Sequence, residues 1–345
     1  MIDKNPSVAD STQPIVSNER ADRRLAGAAK PLILLGITVL LVVASRWISP
    51  GLGGFDQVAA VIVLSSFLIV VAFGQQMVVL IGGLDLSVPS IIMLGGILAY
   101  AWSPADGLQL ALVFVGVVLI TGAVGAVSGL GVALLGIPPF IMTLSSGIIV
   151  YSAALGATSG SPGGDATGAL EELFTGRFLG LPPVIFAVAV FVLLGAVLQS
   201  RTTFGRMLYA TGTNRRAAEI AGLPVIRMTA ATYAIGAAAS GVCGMLLVGF
   251  SNGATLTMGQ SYLLPSIAAV VVGGTAITGG RGDYFSVVAA ALLMTTFSTV
   301  ISSVQIAEGW RTIIYGLIVL VAIVAMNEET ARLFSRVISV GNRSN

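Results

Sequence analysis

The sequence predicts an all-α polytopic membrane protein with about ten transmembrane helices and both termini on the cytoplasmic side. Three observations carry this expectation. Of the 345 residues, 56% are hydrophobic and only 9% charged, with a mean hydropathy of +0.97; a soluble chain carries about a quarter charged residues. Apolar runs of roughly 20 residues, the length that crosses a bilayer core, recur between Gly-, Pro- or charge-bearing breaks. The basic residues gather in alternate connections, as the positive-inside rule requires of a multi-pass chain.

Taken in order, residues 1–30 are polar, hold Arg20, Arg23, Arg24 and Lys30, and read as a cytoplasmic N-terminal tail. The apolar run that follows lacks a convincing small-residue cleavage site, so it reads as a retained first span and not as a signal peptide. Spans are expected at about 31–49, 57–81, 86–102, 108–135, 138–157, 182–200, 228–250, 263–280, 284–304 and 310–327, so that residues 31–327 form one transmembrane domain and 328–345 a cytoplasmic tail. The third is short and begins inside a polar break; the fourth is long enough to tilt. With the N-terminus inside, the cytoplasmic side collects the N-terminal cluster, Arg201, Arg206, Arg215, Arg216 and Arg227, then Arg281 and the tail with Arg332, Arg336 and Arg343. The outer side holds only Arg46, Arg177 and Arg311. Ten spans return the C-terminus to the inside, whereas an odd count would leave one basic terminus outside.

Two connections stand out. The outer one, about 158–181, is Gly/Ser-rich with Asp165, Glu171 and Glu172, and reads as a solvated connector or a docking surface for an external partner. In the inner one, about 201–227, Asn214 can cap a short helix that Gly222 and Pro224 stop, with Arg215 and Glu219 spaced i,i+4. Met77–Ser90 and Met245–Ser261 read loosely alike, each in or after the second span of a five-span half. Because five is odd, such halves would form a 5+5 inverted repeat, a common transporter plan.

Several chemistries are absent. There is no histidine, one cysteine (Cys243) and two lysines, Lys4 and Lys30, both ahead of the first span. No Cys metal site is implied, no nucleophile–base pair appears, and no Lys sits in a phosphate-binding Gly-rich turn, so the chain does not hydrolyse ATP by that chemistry. No catalytic residue, metal, cofactor or nucleic-acid partner is expected.

The most informative segment is Gly82-Gly83-Leu84-Asp85-Leu86-Ser87-Val88-Pro89-Ser90, a polar break inside an almost unbroken apolar stretch from about 58 to 102. A carboxylate at a membrane helix centre costs roughly 2.5–3.5 kcal/mol on insertion scales. Ser87, Gln75, Gln76 or a wetted cavity could supply partners to the freed backbone. Pro89 suits the first turn of a restarting helix, and Asp85 with Ser87 can accept its free N–H groups. Asp85 therefore has three possible uses: a structural cap, a contact with solute or ion, or a proton relay. A relay would normally show further intramembrane acids or His, and none is evident. Thr143, Ser145, Ser146, Tyr151, Asn252, Thr255, Thr257 and Gln260 add polar groups suited to a wetted path for an uncharged solute, although single Ser and Thr often bond back to their own helix. The candidate path residues are Asp85, Ser87, Gln75, Thr143 and Asn252. A second cluster, Gly273–Asp283, reads as a tight inner turn closing a span.

Four blocks carry a resemblance: Gly82-Gly83-Leu84-Asp85-Leu86-Ser87-Val88; Pro139–Leu144 with Gly160-Ser161-Pro162; Phe204–Ala210 with Gly212-Thr213-Asn214 and Ala217-Ala218…Gly222; and Ile267–Thr275 through Gly279–Gly282. In this order they resemble the permease subunit of bacterial ribose/xylose/arabinose-type (simple sugar) ABC importers, over about residues 55–327. Pro89 stands where that family usually has Gly, and Arg215 where Glu is common. The resemblance implies a permease of about ten spans in the bacterial inner membrane, surrounded by lipid and paired with a second permease, identical or related. A separate cytoplasmic ATPase would dock on it and a periplasmic sugar-binding protein would deliver the solute. It assigns Asn214, Arg215, Arg216, Glu219 and Gly222 to a coupling helix that seats in the ATPase. Two other readings stay open: a branched-chain amino acid ABC importer permease, whose substrate ammonium Asp85 could meet, and an ion-coupled secondary transporter.

Overall fold

The structure is a computed structural model and describes residues 15–47, 53–102, 106–163, 168–305 and 307–326. Among these it is all-helical, with no strand. The helices are α1 (Ile15–Ser45), α2 (Phe55–Leu80), α3 (Val88–Trp102), α4 (Gly107–Leu135), α5 (Pro139–Ala157), α6 (Gly168–Thr175), α7 (Pro183–Arg201), α8 (Thr203–Thr213), α9 (Arg215–Ile220), α10 (Val225–Ser251), α11 (Leu263–Val272), α12 (Tyr284–Ser303) and α13 (Glu308–Met326). Six of them, α2, α4, α5, α7, α10 and α12, are long and apolar enough to cross a membrane. The other four expected spans fall on shorter apolar stretches, 29–45, 88–102, 260–272 and 309–321.

Two boundaries are corrected. The first helix starts at Ile15, well before residue 31, and runs through Pro31. The span expected at 263–280 stops at Val272, because Gly274 adopts φ +83° and lets the Thr275 N–H reach back to the Val270 carbonyl at 3.1 Å; such a left-handed residue ends a helix. Residues 273–283 are thus a loop, the tight turn expected of the Gly cluster, and it begins several residues before the span boundary at 280. The outer connection contains α6, and the inner one holds α8 as well as the short capped helix. The expected C-terminal tail, 328–345, and Asp165 lie outside the described residues.

The bundle is organised around α10, which packs on α4, α3 and α2. Small residues set these contacts: Gly74 lies against Gly236, and a Cβ on Gly95 would collide with the Gly241 backbone. Backbones that approach so closely gain dispersion contact, the main adhesive between helices in lipid. The fully buried side chains Phe67, Met77, Leu80, Ile91, Ile92 and Met93 fill the space beside them. Phe73 meets Tyr284 edge to face at 5.0 Å, tying α2 to α12.

α2 has 26 residues and α10 has 27, about 40 Å each at 1.5 Å per residue. Each is followed by an irregular break, 81–87 or 252–259, and then by a short helix, α3 or α11. α3 packs on α4 and α5, and α11 packs on α12 and α13. The second break closes on the first turn of α3, beside the first break, with Gly259 pressed against the Pro89 carbonyl so closely that a Cβ there would overlap it.

Candidate functional site

α2 ends because Gly82 takes φ +75°, which allows Gly83 N–H to return to the Val78 carbonyl at 3.0 Å and Gly82 N–H to Val79 at 2.9 Å. The chain then runs without regular structure to Ser87. Asp85 Oδ1 accepts from Ser87 N–H at 2.8 Å and from Ser87 Oγ at 2.6 Å. Both residues are buried. Pro89 falls in the first turn of α3, where its missing N–H costs nothing. Thr143 of α5 pins the break from the side: its Oγ1 accepts from Leu86 N–H at 3.0 Å and lies 3.0 Å from the Pro139 carbonyl and 3.3 Å from that of Leu84.

Asp85, Ser87 and Thr143 therefore lie together at the break. Gln75 and Asn252 do not join them. Gln75 is buried in α2 with neither amide atom hydrogen-bonded. Asn252 is the exposed, left-handed residue (φ +58°) that ends α10 at the other break. Nor do the glutamines supply the freed backbone. Gln76 faces the opposite way, donating to Thr275 Oγ1 at 3.3 Å and accepting from Gln199 Nε2 at 3.1 Å. Tyr209 of α8 joins this buried chain by donating to Gly282 O at 2.9 Å, with Gln199 Oε1 at 3.4 Å. Burial, with Asp283 nearby, pushes the Tyr209 phenol up to about 12, so it remains a donor at any physiological pH.

Cavities lie on both sides of the break. One, of about 230 Å³, sits beside the two breaks and is lined by Leu86, Ser90, Leu144, Gly147, Ile148, Tyr151 and Gln260. The other, of about 350 Å³, lies beneath Gly82 and Gly83 and reaches Thr211 of α8 and Arg215 of α9. In the first, a serine, a phenol and an amide face an otherwise apolar wall. Sequence reasoning grouped Tyr151 and Gln260 only with scattered polar residues and passed over Ser90; the signal available was that all three lie within a few residues of a break or on the helix that pins it. Such groups can exchange hydrogen bonds with a neutral polar solute but present no nucleophile or base. Among the described residues, no group of three His, Cys, Asp or Glu is placed to hold a metal ion.

On the face carrying α8 and α9, Asn214 caps α9 by accepting from Ala217 N–H at 2.9 Å. Arg215 Nε bonds Glu219 Oε1 at 3.2 Å. Gly222 (φ +78°) closes the helix, with Leu223 N–H returning to Ala218 O at 3.0 Å.

A core of apolar helices long enough to cross a membrane, with a polar-lined cavity beside its two irregular breaks, is an arrangement suited to passing a solute. The chain matches the family model described as "branched-chain amino acid transport system / permease component" over residues 57–323, and it belongs to that family. It is 33% identical over 264 residues to a ribose import permease of Bacillus subtilis (strain 168), covering 76% of this chain and 81% of that one. A probable ABC transporter permease of Sinorhizobium fredii (strain NBRC 101917 / NGR234) is 30% identical, with 92% of each chain covered. A fructose import permease of Rhizobium meliloti is likewise 30% identical, with 92% of each chain covered. No solved structure matches the chain. The protein is an integral membrane permease, and the relatives it matches are permease components of transport systems.

Proposed function

We propose that this chain is the membrane-spanning subunit of an ATP-binding-cassette importer that carries a monosaccharide, or a similar neutral polyhydroxylated solute, across the bacterial inner membrane. The cavity beside the breaks carries the reading. Ser90, Tyr151 and Gln260 offer hydroxyl and amide partners to a solute with many hydroxyls, against Leu144 and Ile148. An amino acid would bring two charges. Asp85, the carboxylate of the break, is not among the lining residues and has Oδ1 committed to Ser87. The relatives named for ribose and fructose import point the same way.

In this reading the chain crosses the membrane ten times as a 5+5 inverted repeat, because α2–break–α3 and α10–break–α11 repeat one plan and half-helices commonly meet at a transporter's binding site. Asp85 and Thr143 hold the break in shape beside the path. A second permease, identical or related, completes the membrane assembly. A cytoplasmic ATPase seats on α9 through Arg215, Arg216 and Glu219, and an external sugar-binding protein docks on the side carrying α6. The test is uptake by the complex reconstituted with its ATPase and binding protein, offered labelled ribose, fructose, allose and leucine. Uptake of a sugar is expected; uptake of leucine with no sugar would overturn the assignment.

A further inference from the structure

A second polar cavity lies on the other side of the short helical turn that carries Gln260. Gln260 lines the cavity beside the breaks, whereas Ser261 and Tyr262 of the same turn line a cavity of about 350 Å³ between α2, α11, α12 and α13. That volume falls at the lower end of small-ligand pockets, about 300–1,000 Å³. Its polar wall is α12, where Thr295, Ser298, Thr299 and Ser302 line it at the spacing of one helix face. Their hydroxyls are not equivalent. Thr296, Thr299, Ser302 and Ser303 each donate to a carbonyl of their own helix, the common fate of such groups. Thr295 Oγ1 and Ser298 Oγ do not, and neither makes another hydrogen bond among the described residues. Both residues are half-buried, and each of these hydroxyls keeps accessible surface. Ser261, from the turn, is exposed and likewise makes no side-chain hydrogen bond among the described residues. On α13, Arg311 Nη1 donates to Ser302 Oγ at 2.9 Å, which sets the guanidinium at the cavity wall. Leu64, Leu68 and Pro265 supply an apolar side.

Hydroxyls that can both give and accept, a guanidinium that only gives, and an apolar side suit a polyhydroxylated ring. The place of the cavity agrees with the proposed repeat. The cavity beside the breaks lies between α3 and α5, the third and fifth spans of the first half. This one lies between α11, α12 and α13, the third, fourth and fifth of the second. In the proposed orientation Ser302 and Arg311 are at the outer ends of their helices.

We propose that this cavity is a second solute site, on the outer side, which receives the monosaccharide ahead of the cavity beside the breaks, with the turn Gln260–Tyr262 between the two. The inference rests on the sugar-import reading and its sidedness.

The test uses the permease with its ATPase in lipid nanodiscs, without ATP, and whichever of D-ribose, D-fructose or D-allose the full complex imports. Ser298→Cys in a Cys243→Ala background places a reporter in the wall, modified by a small impermeant methanethiosulfonate; Ser261→Cys is a second reporter, should Ser298 itself hold the sugar. At about ten times the half-protecting concentration, free sugar should slow modification about tenfold, as 1 + [L]/Kd requires. Thr295→Val removes a hydroxyl and keeps the shape. With it, roughly tenfold more sugar should be needed for the same protection, the equivalent of about 1.4 kcal/mol. A full complex that imports no sugar refutes the import reading. One that imports sugar while both reporters react at the same rate with and without it refutes this site alone. Protection by the sugar phosphate and not by free sugar overturns the neutral ligand. Protection that follows the ratio of phospholipid to protein, and not the sugar, gives the cavity to a lipid headgroup and overturns the site as well.

Discussion

Asp85 illustrates how a carboxylate is kept in an apolar setting: Oδ1 takes both the N–H and the hydroxyl of Ser87, two residues ahead, and so shapes the entry to α3. Asp85→Asn retains an acceptor and is expected to fold and to keep part of the uptake. Asp85→Leu leaves the Ser87 N–H unpaired, a penalty of about 1–3 kcal/mol, and should cut the yield of monodisperse protein on size-exclusion chromatography. Normal yield and uptake in Asp85→Leu would remove the capping role. Thr143→Val keeps the shape but orphans the Leu86 N–H, and a lower melting temperature in detergent is expected. At this scale the sequence was readable where chemistry is local. The order Asp-x-Ser-x-Pro announces its own turn, and Pro89 falls in the first turn of α3 as anticipated, whereas Ser87 donates its N–H and hydroxyl to Asp85 in place of accepting from α3. Gln75 and Gln76 could not be told apart, because neighbours on a helix point about 100° away from each other and only the placement of α7 decides which one meets Gln199.

Among the elements, α9 was legible because its start and stop are written in residues: Asn214 supplies the cap and Gly222 the left-handed turn. Asn214→Ala should cost α9 about 1 kcal/mol and weaken copurification of the ATPase without lowering membrane insertion; unchanged copurification would move the docking surface elsewhere. The early end of α11 was not legible. Hydropathy counts apolar side chains and stays high through Val270–Gly274, whereas the helix stops on a backbone angle. The Gly95–Gly241 contact was equally hidden, since a glycine facing a helix and a glycine facing lipid are the same letter. Substitution distinguishes them: Gly95→Leu should prevent α3 from seating on α10 and abolish folded protein. Gly36→Leu, with nothing near its Cβ, should be tolerated; equal expression of the two would refute the packing.

For the whole molecule, the proposed sidedness predicts that a single cysteine at Ser161 is labelled by an impermeant maleimide from outside intact cells and one at Thr213 is not, in a Cys243-free background. The reverse pattern would invert the topology. The helical membrane class was legible because low charge and long apolar runs are properties of the entire chain, while the way the second break closes on α3 depends on contacts between residues far apart in sequence. The central position of α10 also bears on how the protein is made. The helices it gathers, α2, α3 and α4, are complete once Leu135 is polymerised, but α10 ends only at Ser251. At roughly 5–20 residues per second, a ribosome needs about 6–23 s to cover that interval. Throughout it the nascent first half presents bare glycine faces to lipid, to insertion factors and to membrane proteases, so slow codons between α7 and α10 should lower the yield of mature protein more than the same codons placed after α10.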